Sequence, residues 1–144
     1  MWIMRRMKAL GMDPFIILDY YYKEIRVHLE YAVPVWHSGL TIKLSNDIER
    51  VQRVAVSILI DQIEFSYSRS CAMLGVKPLY IRRQELCEQF SVKTASDKSR
   101  HSDLFQMQNK AYNTRHNMYR EHFWCTSRFY SSSLPFLTRT LNQL

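Results

Sequence analysis

Apolar residues recur at steps of three and four along most of the first 95 positions, with polar and charged residues between them. This spacing puts the apolar side chains on one face of a helix, so it predicts a series of amphipathic helices. Start and stop signals then bound each helix. Five helices are predicted: Met1 to Leu10 with Gly11 as its end, a second opened by Asp13-Pro14, a third from Thr41 or Ser45 to about Ile60, a fourth capped by Ser66 or Ser68 and stopped by Gly75, and a fifth from Leu79 to about Thr94.

The second and third predicted helices meet at the stretch from Leu29 to Leu40. Pro34 lacks a backbone donor and biases Val33 away from helical angles, so the second helix is expected to end or kink near this point. A glycine a few residues later favours a sharp reversal of the chain. We therefore predict a structural corner with a buried indole as its anchor, formed by Tyr31, Pro34, Trp36 and Gly39.

Beyond Ala95 the pattern changes, because polar and basic residues dominate and the apolar ones follow no sustained period. A last short helix is expected to begin at Pro135, with Ser133 as its cap, and to dock as a terminal clasp. The sequence thus predicts an all-α fold: a compact bundle of about five helices over residues 1–95, and an extended, partly ordered basic tail over residues 96–144. Several aromatic residues suggest that parts of the tail lie against the helices or a partner: Phe123, Trp124, Phe129 and Tyr130.

Composition supports the helical prediction and adds a charge asymmetry. Three glycines and four prolines are few for an all-β chain that needs many turns. Residues 1–97 carry 13 basic and 11 acidic side chains, whereas residues 98–144 carry 7 and 2, so most of the net charge of +7 lies in the tail. A basic excess favours nucleic acid or an anionic surface as a partner without specifying either.

No pattern of a catalytic or metal site stands out. The chain has no glycine-rich phosphate loop and no nucleophile motif, and its carboxylates are scattered beside basic residues, as on solvated helix faces. His122 and Cys125 form the nearest approach to a metal pair, but one pair is a weak zinc signal. His37 beside Trp36 is expected to be a hydrogen-bonded core histidine. We therefore expect no catalytic residue, metal, cofactor or small-molecule ligand.

The compartment follows from cysteine usage and hydropathy. Three widely spaced cysteines do not form a disulfide framework, which favours a reducing environment. No apolar run reaches the roughly 18 residues that span a bilayer, and basic residues interrupt the first helix where a signal peptide would be apolar. We expect an intracellular protein, cytoplasmic or nuclear, without a membrane partner.

Basic residues interleaved with aromatic ones are the most informative functional pattern. They lie on the polar sides of the predicted helices, where they would track phosphates if the fold brought them together. The alternative, that each only solvates its helix and pairs with a neighbouring carboxylate, stays open. The candidate nucleic-acid-binding residues are Arg5, Arg6, Lys8, Arg26, Arg50, Arg53, Arg82 and Arg83.

The corner stretch, Leu-Glu-Tyr-Ala-Val-Pro-Val-Trp-His-Ser-Gly-Leu at 29–40, resembles a segment that follows the polymerase core in jockey-like non-LTR retrotransposon reverse transcriptases. Other short segments resemble motifs of that region in the same order, and they extend the resemblance over nearly the whole chain. Val33 stands where cysteine is more usual, and Ser38 where proline is common. These matching segments are Leu10-Gly11, Ile48-Glu49-Arg50-Val51-Gln52, Leu74-Gly75-Val76, Arg82-Arg83-Gln84-Glu85-Leu86-Cys87 and Pro135-Phe136-Leu137-Thr138-Arg139-Thr140-Leu141-Asn142.

The resemblance implies the thumb and post-thumb region of an RNA-directed DNA polymerase. The catalytic Ala-Asp-Asp motif of that family does not occur here, so the chain would lack the magnesium-binding aspartates, and no endonuclease motif occurs either. The expected partners are RNA or an RNA–DNA hybrid and the missing polymerase palm. Two alternatives remain: a helical structural or protein-interaction piece, and a degenerate retroelement remnant with no independent function.

Overall fold

A computed structural model describes residues 1–60, 66–96, 101–107, 118–121 and 126–144. Helices account for 76% of it, and strands are absent from these ranges except for one isolated bridge between Met107 and Tyr119. The all-α prediction is confirmed.

The first two predicted helices form with their predicted caps. Helix α1 spans Trp2–Ala9, and Gly11 after it adopts the left-handed conformation at φ +73° that ends a helix. The backbone N–H of Phe15 donates to Asp13 Oδ1 at 2.7 Å, so Asp13 caps α2 with Pro14 in its first turn. The helix continues through three segments: α2 (Pro14–Tyr20), a π-helical segment (Tyr21–Arg26) and α3 (Val27–Glu30).

The middle helices also match their sequence signals. Thr41 Oγ1 accepts from Leu44 N at 3.3 Å and caps the longest helix. Gly75 has φ +63°, as a helix-ending glycine requires. The elements of this region are α4 (Val33–Trp36), a 3-10 turn (His37–Gly39), α5 (Ile42–Leu59), α6 (Tyr67–Met73) and α7 (Leu79–Ala95).

The C-terminal helix is longer than predicted. It begins at Ser133 with Ser132 as the N-cap residue, one position before the predicted cap, and Pro135 lies buried in its first turns. The described parts of the tail contain a 3-10 turn (Ser102–Leu104), α8 (Ser127–Tyr130) and α9 (Ser133–Gln143). Phe123 and Trp124 lie outside the described residues.

The corner forms at the predicted place but through different residues. The helix ends at Glu30, and Ala32 takes the left-handed conformation at φ +51°, after which α4 begins at Val33 with Pro34 in its first turn. The prediction that Gly39 permits the reversal is wrong, because its φ is not positive and a Cβ there would meet nothing within 4 Å. Tyr31 is 78% exposed, so its predicted packing role is also wrong.

The chain divides into two compact units, and the boundary differs from the one predicted after residue 95. The first unit comprises Met1–Tyr31 and Thr41–Arg82, and the second comprises Ala32–Leu40 and Arg83–Leu144. The division falls inside α7: its residues up to Arg82 belong to the first unit, and its residues from Arg83 belong to the second, where Leu86 and Cys87 join the core. A boundary read from composition alone does not detect such a helix.

The first unit is built on α5, which packs against α1 and α2. Its core contains one polar-tipped aromatic and five apolar residues: Met4, Ile17, Tyr21, Ala55, Ile58 and Leu59. Lys8 Nζ donates to the carbonyl of Ile58, one of the last four carbonyls of α5, which lack partners within the helix. A cation there also interacts favourably with the helix dipole.

The second unit is closed by α9, which packs against α4 and the 3-10 turn after it. Leu137 is buried with Val33, Cys87 and Phe105, and a half-buried Trp36 packs against this cluster. The Asn142 amide donates to Tyr119 O at 3.1 Å and accepts from Tyr119 N at 2.9 Å, which ties α9 to the tail. The docking of the last helix is therefore confirmed within this unit. Its other packed apolar residues are Leu134, Phe136 and Leu141.

Candidate nucleic-acid interface

A buried carboxylate organises the first unit. Glu49 of α5 is only 7% exposed, and its Oε1 accepts from the Tyr67 hydroxyl and, at 3.0 Å, from Leu79 N. Its Oε2 accepts from Tyr80 N at 3.0 Å. The carboxylate thus caps the N-terminus of α7, where backbone donors lack helical partners and the dipole favours negative charge. The expectation that the carboxylates are solvated is wrong for Glu49.

Gln52, one turn later on α5, extends this network. Its Oε1 accepts from the Tyr21 hydroxyl at 2.8 Å, and its Nε2 donates to Tyr67 Oη at 2.9 Å and to the Lys77 carbonyl at 3.0 Å. Burial raises the pKa of both tyrosines, so both hydroxyls stay protonated at neutral pH. A fully buried amide thereby joins α5 to the π-helical segment, to α6 and to the chain before α7.

This network was missed from the sequence, although a signal for it exists. The apolar residues of α5 at helical spacing are Ile48, Val51, Ala55, Ile58 and Leu59, but the first two of them are only half-buried. Glu49 and Gln52 lie three residues apart and continue in register to the buried Val56 and Leu59. Polar residues in register with an apolar stripe indicate a buried network.

The exposed side of α5 carries two of the predicted basic residues. Arg50 and Arg53 are exposed one turn apart and line an open groove of about 540 Å³, called here the α5 groove. The Arg53 guanidinium lies over the Tyr67 ring, 5.1 Å from its centroid, which fixes its position by a cation–π contact. The groove is lined by Asn46, Asp47, Arg50, Arg53, Val54 and Ser57.

A second groove of about 400 Å³, the Glu30 groove, brings together two more predicted residues. Arg26 Nε and Arg82 Nε both contact Glu30 Oε1, the latter at 3.4 Å. The Arg26 guanidinium also lies 5.0 Å from the centroid of the Tyr22 ring. The sequence did not single out Lys77, which lines this groove. Its lining residues are Tyr22, Arg26, Val27, Glu30, Gly75, Lys77 and Arg82.

The other predicted basic residues do not join these grooves. Arg5 and Arg6 are exposed on α1 and line neither groove, whereas Lys8 is half-buried and bonded to the end of α5. Arg83 is fully buried in the second unit, so its predicted place on a nucleic-acid-binding surface is wrong. The buried face of α7 follows steps of four and three, and it leaves the apolar Phe90 exposed. That face comprises Leu79, Arg83, Cys87, Ser91 and Thr94.

His37 in the second unit lies where the sequence predicted a core histidine. Its ring contacts Phe136 edge to face, with 5.7 Å between the centroids. Burial, and then the positive charge of Arg83, lowers the pKa of His37, which favours the neutral imidazole. Within the described residues, His37 Nδ1 and Ser38 Oγ are buried without a hydrogen-bond partner, so the predicted bond is not present at Nδ1.

The described ranges contain no group of three His, Cys, Asp or Glu side chains placed to hold a metal ion. The pair His122 and Cys125 lies outside them. Burial raises the pKa of the Cys87 thiol to about 11, so it is a packing residue rather than a reactive thiolate. Among the helices that the structure describes, none combines the length and apolarity needed to cross a membrane.

Comparison with protein-family models, with curated proteins and with solved structures gives no match to this chain.

Proposed function

We propose that this chain is a non-catalytic, nucleic-acid-contacting helical module of the kind found in the thumb and post-thumb region of a non-LTR retrotransposon reverse transcriptase. The observation that carries the proposal is the α5 groove, in which Arg50 and Arg53 lie exposed one turn apart. The resemblance at residues 29–40 and 48–52 supports the same class. RNA or an RNA–DNA hybrid is the proposed partner.

The physical basis is electrostatic. Arginines on successive turns of a helix are about 5–6 Å apart at their Cβ atoms, close to the spacing of neighbouring phosphates along a strand. Arg53 is held against Tyr67, so less side-chain entropy is lost when it binds a phosphate. Asp47 offsets part of this charge, which predicts moderate, salt-sensitive binding.

The test is the binding of a labelled RNA–DNA hybrid across a series of salt concentrations. Binding is expected to weaken as salt rises, and the Arg50→Ala, Arg53→Ala double variant is expected to lower the slope of log K against log salt by about 2. The matched control is Lys43→Ala, Lys93→Ala, which removes the same charge from two other exposed positions. Circular dichroism checks that each variant keeps its helical content.

Absence of binding by the parent chain at low salt, or binding without a salt slope, contradicts the proposal. An equal loss of affinity in the arginine variant and in the control would show that binding depends only on net charge. It would exclude the α5 groove as the binding site.

A second candidate function, a protein-interaction or structural role, is favoured by exposed apolar residues in the first unit. Trp2, Phe15 and Ile42 are 75%, 80% and 83% exposed, and side chains of this size at the surface often mark a protein contact. Sedimentation and a thermal melt address this candidate. A monomer that melts cooperatively and binds the hybrid favours the nucleic-acid role. Aggregation without a cooperative transition favours the other alternative, a degenerate retroelement remnant with no independent function.

A further inference from the structure

The Glu30 groove combines three cationic side chains with a single carboxylate. Arg26, Lys77 and Arg82 line it together with Glu30, which leaves a local excess of two positive charges among the lining residues. All of them belong to the first unit. An open groove with this excess attracts anions, and its low-dielectric walls strengthen that attraction relative to a flat surface.

The ion pairs of this groove hold the guanidinium groups in place. Glu30 follows Arg26 by one helical turn and binds its Nε, and the same carboxylate oxygen lies 3.4 Å from Nε of Arg82 on α7. The Arg26 side chain is 11% exposed, against 29% for Arg82. All three cations line the groove, and Arg82 and the exposed Lys77 are more accessible to a ligand than Arg26.

The groups that face the groove suit a tetrahedral oxyanion. A guanidinium binds phosphate through two parallel N–H donors, and an ammonium group adds a compact positive charge beside it. The Glu30 carboxylate already occupies part of the donor capacity of Arg82. An incoming phosphate must therefore compete with an anion that belongs to the protein itself.

We propose that the Glu30 groove is a phosphate site, in which Arg82 and Lys77 bind a backbone phosphate of the nucleic acid and Glu30 acts as the internal competing anion. This inference rests on the proposed function, and it adds a second contact point that is separate from the α5 groove. Glu30 then sets the affinity of the site, because it positions Arg82 and also opposes the binding of any other anion.

Three variants test the proposal with the same labelled hybrid and the same salt series. Lys77→Gln, Arg82→Gln is expected to weaken binding about tenfold and to lower the salt slope by about 2. Lys77→Gln alone keeps the ion pair and is expected to lower the slope by about 1. Glu30→Gln keeps the shape of the side chain but removes the competing charge, which leaves Arg82 more available to the phosphate. Binding is therefore expected to tighten about threefold.

The outcomes separate this site from the proposed function. If the Arg50→Ala, Arg53→Ala variant loses affinity while Lys77→Gln leaves it unchanged, the phosphate site is overturned and the function stands. Unchanged or weaker binding by a folded Glu30→Gln variant overturns the competing role of Glu30. In a second experiment, inorganic phosphate is titrated into the protein, and the chemical shifts of the Lys77 and Arg82 side chains are measured. Saturable shifts without hybrid binding identify free phosphate as the ligand and overturn the function, and no response to either ligand overturns both.

Discussion

Replacement of Glu49 by alanine is the sharpest test of how the first unit is held together. The carboxylate accepts three hydrogen bonds, from the Tyr67 hydroxyl and from the backbone N–H groups of Leu79 and Tyr80. In the alanine variant, Tyr67 Oη still accepts from Gln52 Nε2, but the Tyr67 O–H and the two backbone N–H groups lose their acceptor. The change therefore removes the cap of α7 without deleting any apolar contact of the main core.

The two backbone donors, Leu79 N–H and Tyr80 N–H, set the minimum of the expected cost. A buried donor left without a partner costs about 1–3 kcal/mol, which gives about 2–6 kcal/mol for the pair. The variant also removes the cost of burying the Glu49 carboxylate, which is 7% exposed, so the loss falls in the lower half of that range. We expect about 3 kcal/mol for Glu49→Ala and about 1–2 kcal/mol for Glu49→Gln, because glutamine keeps one acceptor oxygen.

Urea unfolding followed by circular dichroism measures the total loss, and hydrogen exchange locates it. The amides of Leu79 and Tyr80 are expected to exchange faster in Glu49→Ala by more than the loss of global stability accounts for. The control is Asp19→Ala, whose side chain is 58% exposed and pairs with Lys23, and which should cost less than about 0.5 kcal/mol. A loss below about 1 kcal/mol for Glu49→Ala, or unchanged exchange at both amides, would refute the assignment of this carboxylate as the cap.

Four further predictions concern both units. The pKa of His37 in the folded chain lies below its unfolded value of 6.5, so the unfolded chain binds more protons as pH falls. The free energy of unfolding should therefore fall from pH 7 toward pH 5. In His37→Gln, the melting temperature should depend less on pH over that range. Ala32→Gly should raise the free energy of unfolding by about 0.5–1 kcal/mol by removing left-handed strain, and a lowered melting temperature would count against that strain. Lys8→Met should cost about 1 kcal/mol through the lost bond to Ile58, with exchange at the C-terminal end of α5 as the readout, and unchanged exchange would argue against it. Trp36→Ala should cost about 2–3 kcal/mol, less than the loss of a fully buried indole would. An unchanged midpoint in chemical denaturation would show that Trp36 does not anchor the corner.

The sequence predicted the helices well because their signals are local. Asp13-Pro14, Thr41 and Ser66 each precede a helix, and Gly11 and Gly75 each end one, with the φ values that a glycine cap requires. Caps act within three or four residues, so they can be read without knowledge of the fold. The all-α class followed from the same signals and from the scarcity of turn residues.

The candidate site was predicted only in part, because its residues come from different helices. Arg26 and Arg82 were both identified, but their meeting at Glu30 depends on how α3 and α7 pack. Lys77 became part of the groove for the same reason. Sequence spacing fixes neighbours along one helix and carries no information on which helices lie side by side.

The nature of a charged residue also proved a poor guide to its burial. Glu49 and Arg83 were both assigned to the surface, yet both are buried, because each lies in register with the apolar face of its helix. A single sequence by itself determined the helices, their ends and the basic character of this chain, since these depend on neighbours a few residues away. Only the tertiary structure decided which charges are capped, paired or exposed, because burial and pairing depend on side chains that the fold brings from distant positions.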